Sequence, residues 1–407
     1  MPGRDAPAAG GTPAPLRLGS RREHPDSFAP IASGFLVVSI RHGGNIRRPT
    51  SQETHGICLV MTRPFLIFLS LVLLLHLSPT VAAAETSGPG RESSRRARVV
   101  MVQEADATVT FNPQPEKIAR MSARGLLGLT GKANLRDAWL SLVSTQDTVG
   151  VKVFSTPGPT SGTRPAVVEA VVKSLLAAGL PAKQIVVWDK HLSDLRQSGF
   201  FELAERYGVR VAGAAEAGYD ENTFYDAALL GQLVWGDLEF GRKGEGIGRK
   251  SYVSKLITQQ MTRIINVTPL FNHNLAGVSG CLWGLALGSV DNTLRFENDP
   301  DRLASAVPEI IALPVLGDRV ALNIVDALVC QYQGEEHTLL HYSVALNQLW
   351  FSTDPVALDV VSLQEIERQR KASKAPATKT NLELYQNAAL LEIGISETNH
   401  IDLIRLP

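Results

Sequence analysis

The chain has 407 residues, 44% hydrophobic and 20% charged, with 40 Lys plus Arg against 40 Asp plus Glu and a formal net charge of +0. That length supports one large or two medium α/β cores, and the balanced charge, with no basic run among aromatics, leaves no electrostatic footprint for nucleic acid. Three cysteines, none in a Cys-x-x-Cys pair, argue against an iron–sulfur cluster or a structural zinc held by cysteines.

Residues 1 to 60 are rich in Pro, Gly, Ser and Arg around one apolar island, Phe35-Leu36-Val37-Val38. They are expected to be disordered, and a translation start at Met61 would make them upstream sequence read in frame. From Met61, Arg63 supplies a positive charge, Pro64 to Leu77 an apolar run, Pro79 a break and Val81-Ala82-Ala83-Ala84 a small-residue end. The run is shorter than the ~20 residues of a membrane span, so residues 61–84 read as a secretory signal rather than an anchor. The mature protein is then expected to be exported, periplasmic or extracellular, with no membrane span after cleavage. Cys58 precedes the signal, which leaves Cys281 and Cys330 either paired or as buried free thiols.

Residues 85–97 read as a Gly/Ser/Arg linker, and residues 98–407 as the folded domain, opening on the strand Val99 to Val102. Residues 115 to 147 are helical or mixed. Val149 to Phe154 is a buried type of strand carrying Lys152, and Pro165 opens a helix whose apolar face runs to Leu176 before Gly179. Gln184 to Asp189 is the next strand, Leu195 to Tyr207 a helix, and Val209 to Val211 a strand. This alternation predicts an α/β fold with a largely parallel sheet and helices on both faces, arranged as one body or two α/β halves. Ligands of such sheets sit beyond the carboxyl ends of the strands, where Lys152, the 160–164 loop and Asp189-Lys190 fall.

Residues 213 to 250 are a glycine-rich loop, hairpin or lid, and Ser251 to Met261 is predicted helical. The run from Ile264 to Gly284 then passes from a β-branched strand through Asn266, Asn272, His273, Asn274 and Ser279 into repeated glycines, the composition of a binding-site floor. Asp301 to Leu313 is a helix and Val320 to Leu328 a strand ending near Asp326. Leu349 to Asp359 is a strand entering a helix with Asp354 or Thr353 as cap. Residues 381 to 392 form a short helix and Ile401 to Leu406 the last strand.

Several of these segments, read in order, resemble the domain-of-unknown-function family DUF362. They are Val151-Lys152-Val153, Thr163-Arg164-Pro165, Ile265-Asn266-Val267, His273, Leu275 to Gly280, Asn323 to Ala327 and Ser352 to Asp359. The resemblance spans most of residues 98 to 406. It departs at Phe271-Asn272 and at Trp283, where that family commonly carries lysines. Relatives fused to ferredoxin-like clusters imply redox partners by analogy alone. The stretch from His273 to Gly280 is also faintly similar to the lactate racemase family, whose cofactor is tethered to a lysine that this chain lacks.

The reading that follows predicts that Lys152, Arg164, Asn266, His273, Asp326 and Asp354 converge. Lys152 and Arg164 would hold a small anionic substrate with Asn266 and Ser279, and His273 would transfer a proton. Asp326 and Asp354 would orient it or bind a divalent metal. The alternative is a non-catalytic protein holding a small anion or a metal-bearing cofactor in the same place. Plainer roles compete: a helix cap for Asp354, a buried ion pair for Lys152, a loop hydrogen bond for His273. His337 and His341 would share a helix face only if that segment were helical.

Overall fold

The computed structural model describes residues 96–227, 248–334, 337–376 and 381–407. The expectations for residues 1 to 60, for the signal at 61–84 and for nearly all of the 85–97 linker lie outside the described residues, as do 228–247 of the glycine-rich loop.

In chain order the strands are β1 (Ala97–Gln103), β2 (Thr108–Val109), β3 (Asn112–Pro113), β4 (Val149–Lys152), β5 (Ile185–Asp189), β6 (Arg210–Gly213) and β7 (Tyr219–Asp226). They continue with β8 (Lys250–Ser254), β9 (Arg263–His273), β10 (Gly277–Val278), β11 (Val320–Gln331), β12 (Ser343–Ser352) and β13 (Ile401–Leu406). Among the described residues one sheet of nine strands runs β13-β1-β12-β11-β9-β4-β5-β6, with β10 folded back on β9. The strands β11, β9, β4, β5 and β6 are mutually parallel, β12 is antiparallel to both β11 and β1, and β13 is parallel to β1. The two α/β halves allowed by the sequence are therefore a single continuous sheet.

Alternation of side chains explains why both faces are covered. Val99, Met101, Val186, Trp188 and Ile264 enter one core, against the helices Cys281–Ser289, Pro300–Ile311 and Pro355–Ala372. Val100, Val102, Ile185, Val187 and Ile265 enter the other, against Pro115–Thr130, Pro165–Ala178 and Phe200–Tyr207. No described helix is long and apolar enough to cross a membrane.

Three local expectations change. The predicted helix Leu195 to Tyr207 is two helices, Leu192–Gln197 and Phe200–Tyr207, which meet at Gly199. Ser251 to Ser254 belongs to β8, because pairing with β7 satisfies its backbone while Ser251, Val253 and Ser254 are buried; a π-helical turn, Leu256–Gln260, follows. The glycine-rich continuation of the central stretch is the helix Cys281–Ser289, in which every residue is buried. A helix buried all round has no polar stripe, so its periodicity is silent in the sequence.

Candidate functional site

The chain order creates a switch in the sheet. It steps outward from β4 to β5 to β6, then returns to lay β9 on the other side of β4. Crossovers on either side of such a switch leave a crevice beyond the strand carboxyl ends. Lys152 at the end of β4 is paired with Asn266, and β9 continues past that point to His273. A cleft of about 390 Å³ opens there, lined by Phe154 beyond β4, Asp189 and Lys190 at the end of β5, His273, and Trp283 and Gly288 of the buried helix. Glu297, His191 and His337 stand at the same cleft.

His273 is held in a defined state. Its Nδ1 accepts the backbone N–H of Leu275 at 3.2 Å and of Ala276 at 3.0 Å, so the ring proton resides on Nε2. The ring tilts against Trp283 with centroids 4.5 Å apart, and Phe154 stands edge-on to the same indole at 5.5 Å. Burial pulls the imidazole down to about 4. At neutral pH His273 thus offers a hydrogen-bond donor rather than a free base.

Beneath the cleft floor Lys152 donates to the Val153 carbonyl at 2.6 Å and pairs with Asp189 Oδ1 at 2.8 Å. Asp189 is saturated: Oδ2 accepts Ser155 N at 2.8 Å and Ser155 Oγ at 2.7 Å, and Oδ1 also accepts Lys190 N at 2.8 Å. The pair fits because position 288 is glycine; a Cβ there would fall 2.5 Å from Lys152 Cε.

Lys190 is placed differently. Its Nζ donates to Thr293 Oγ1 at 3.2 Å, and that hydroxyl donates in turn to Glu297 Oε2. Among the described residues Lys190 has no carboxylate within ion-pair distance. Burial pulls its ammonium below the usual lysine range, against the attraction of Glu297, Asp291 and Asp189, and the nearby charge of Lys152 adds to the fall.

A family model described as Domain of unknown function (DUF362) matches residues 149–364, from the start of β4 into the helix Pro355–Ala372. The chain belongs to the DUF362 family. A crystal structure of a protein from Thermotoga maritima is similar at 14% identity and a TM-score of 0.35, over 64% of this chain and 59% of that one. The chain therefore spans less than two thirds of that protein's length. No curated protein matches it.

Within this DUF362 chain the predicted site residues separate into two groups. His273 lines the cleft at the switch, and Lys152 reaches it only through Asp189, which lines the same cleft. Arg164 and Asp326 instead close on each other: Arg164 Nη1 lies 3.0 Å from Asp326 Oδ1, Arg164 N donates to Oδ2 at 3.0 Å, and both side chains are buried. Arg164 also donates to the Thr160 carbonyl at 2.7 Å. Asn266 ties β9 to the Cys281 carbonyl and to Asn323, while buried Ser279 holds the β9–β10 hairpin through its backbone. Asp354 caps its helix by accepting Ala357 N at 2.8 Å and accepts Ile395 N at 2.9 Å. His337 lies in a bend rather than on a helix with His341. Cys281 and Cys330 are buried free thiols, each raised by burial.

For a divalent metal, the oxygens of Asp326 and Asp354 are thus engaged elsewhere. Among the described residues no three His, Cys, Asp or Glu side chains are grouped to hold one.

Lys190 was legible only as part of an Asp-Lys pair at a strand end. Trp283 stood out in the sequence only as a departure from the resembled family's lysine, and Glu297 gave no signal, since its place depends on how a later helix docks. One functional-state prediction follows from His273. In a 15N-resolved titration of the histidine side chains, His273 should show the Nε2–H tautomer and remain neutral to about pH 4. With its folded value lowered, the stability it contributes is complete above its unfolded value, near 6.5, and lost as pH falls toward 4. A midpoint near 6.5 in the folded protein would contradict this account.

Proposed function

We propose that this DUF362 protein binds a small anionic molecule in the switch-point cleft, with Lys190 as its cation and His273 Nε2–H as a neutral donor. The observation that carries the reading is the contrast between two lysines. Lys152 is neutralised by Asp189 beneath the floor, whereas Lys190 lies in the cleft wall without a carboxylate at ion-pair distance among the described residues. A partly dehydrated ammonium and a neutral imidazole donor lining one cleft favour an oxyanion, because a charge-assisted bond is stronger than a neutral one. Trp283 and Phe154 supply an apolar wall for the rest of such a ligand. Export through residues 61–84 belongs to the same reading, supported by the charge, apolar run and Ala-rich end of that segment.

Titration with glyoxylate, acetate and phosphate while following tryptophan fluorescence tests the proposal. At least one should give a saturable change that disappears in Trp283→Phe, and Lys190→Met should weaken it by roughly 10- to 100-fold, the worth of one charged hydrogen bond. Saturation unaffected by Lys190→Met in a variant with unchanged circular dichroism would overturn it, as would no saturable change with any of the three.

A further inference from the structure

A hydroxyl that links an ammonium to a carboxylate is a path along which a proton can pass. Lys190 has such a link: Nζ to Thr293 Oγ1, and Thr293 Oγ1 to Glu297 Oε2. A direct ion pair, as at Lys152 and Asp189, keeps the proton on nitrogen. The indirect chain instead gives the proton a route to a carboxylate that also lines the cleft. Moving it leaves the net charge of the trio unchanged. Burial disfavours the Lys190 ammonium, the desolvation that activates nucleophilic lysines.

We propose that Lys190 is a catalytic nucleophile that condenses with the aldehyde or keto group of a small carbonyl acid, with Thr293 and Glu297 as its proton relay. The proposal rests on the anion-binding reading of the cleft and names the reacting group. The ammonium passes a proton through Thr293 to Glu297, and the freed lone pair forms the C–N bond as the carbonyl π pair moves to oxygen. His273 Nε2–H donates to that oxygen, which collects a proton from nitrogen to give a carbinolamine. Glu297 then returns its proton to the hydroxyl, water leaves, and the nitrogen lone pair closes the C=N bond. The result is a protonated imine, one water and an ionised Glu297, with nothing oxidised or reduced. Lys152 acts here as a positioning residue through Asp189, whose Oδ1 holds the Lys190 backbone N–H.

Borohydride trapping tests this with two probes of similar size, anionic glyoxylate and neutral propionaldehyde, followed by peptide mass mapping. The reduced adduct is expected on Lys190 ahead of every other lysine, faster with glyoxylate, and absent from that position in Lys190→Arg. Thr293→Val should slow trapping at pH 7 by roughly 100-fold, the usual worth of a positioned proton-transfer group, and the deficit should shrink as pH is raised. Glyoxylate that changes Trp283 fluorescence but leaves Lys190 unmodified would overturn the imine while sparing the anion site. Equal trapping of both probes at Lys190 would support the imine and overturn the anion preference. Neither fluorescence change nor adduct would remove both.

Discussion

Replacing Arg164 by methionine is expected to destabilise the protein by about 3–5 kcal/mol in urea denaturation, the usual cost of stranding one member of a buried ion pair. Asp326 would be left fully buried with the Arg164 and Leu328 amides as donors but no counter-charge. Adding Asp326→Asn should recover much of the loss, because the neutral side chain needs no cation and its single oxygen still accepts from one of those amides. The same pair separates two roles for the arginine. If Arg164 clamped the ligand, the double variant would be stable yet would bind glyoxylate weakly; the observed pairing predicts unchanged binding. A single variant that costs under ~1 kcal/mol would mean that the ion pair does not form in solution.

Asp359 carries the second large effect. From the helix Pro355–Ala372 it reaches across to accept Cys281 N at 2.6 Å and Leu282 N at 2.9 Å, capping the buried helix that forms one wall of the cleft. Gly280 admits this approach, since a Cβ there would sit 2.1 Å from Asp359 Oδ1. Asp359→Ala would orphan two buried amides, and a loss of about 3 kcal/mol is expected. Burial raises the carboxyl from 3.8 to about 7, outweighing the two amides that favour its ionised form. Because the folded value is the higher one, the stability linked to this proton is complete below 3.8 and lost as pH rises through about 7. The difference in stability between wild type and Asp359→Asn should therefore shift against wild type from pH 4 to pH 7, a comparison in which the opposing slope from His273 cancels. A pH-independent difference would refute the raised value.

Much of the frame was readable from composition alone. Val149 to Phe154, Gln184 to Asp189 and Ile401 to Leu406 are short apolar, β-branched runs bounded by polar or turn residues, and each coincides with a strand to within two residues. Pro165 at a helix start, and Asp354 ahead of Pro355, marked helix entries because a proline at the first turn sacrifices no hydrogen bond. The strand-end position of Lys152 and the polar stretch around His273 marked the neighbourhood of the cleft. Ser251 to Ser254 was misread because its strand identity depends on pairing with β7, thirty or so residues away along the chain.

What the residues determined by themselves is the alternation of strands and helices and the polar strand ends beside which the cleft opens, since both depend on local propensity and on period. Which charges neutralise each other was settled only when the sheet closed: Asp189 for Lys152, Asp326 for Arg164, the helix amides for Asp359. Coulomb attraction and desolvation act through distances of a few ångströms, and those distances join residues dozens to over a hundred positions apart. Hence Lys190, half-hidden beside a better-marked aspartate, became the cleft's cation only in three dimensions.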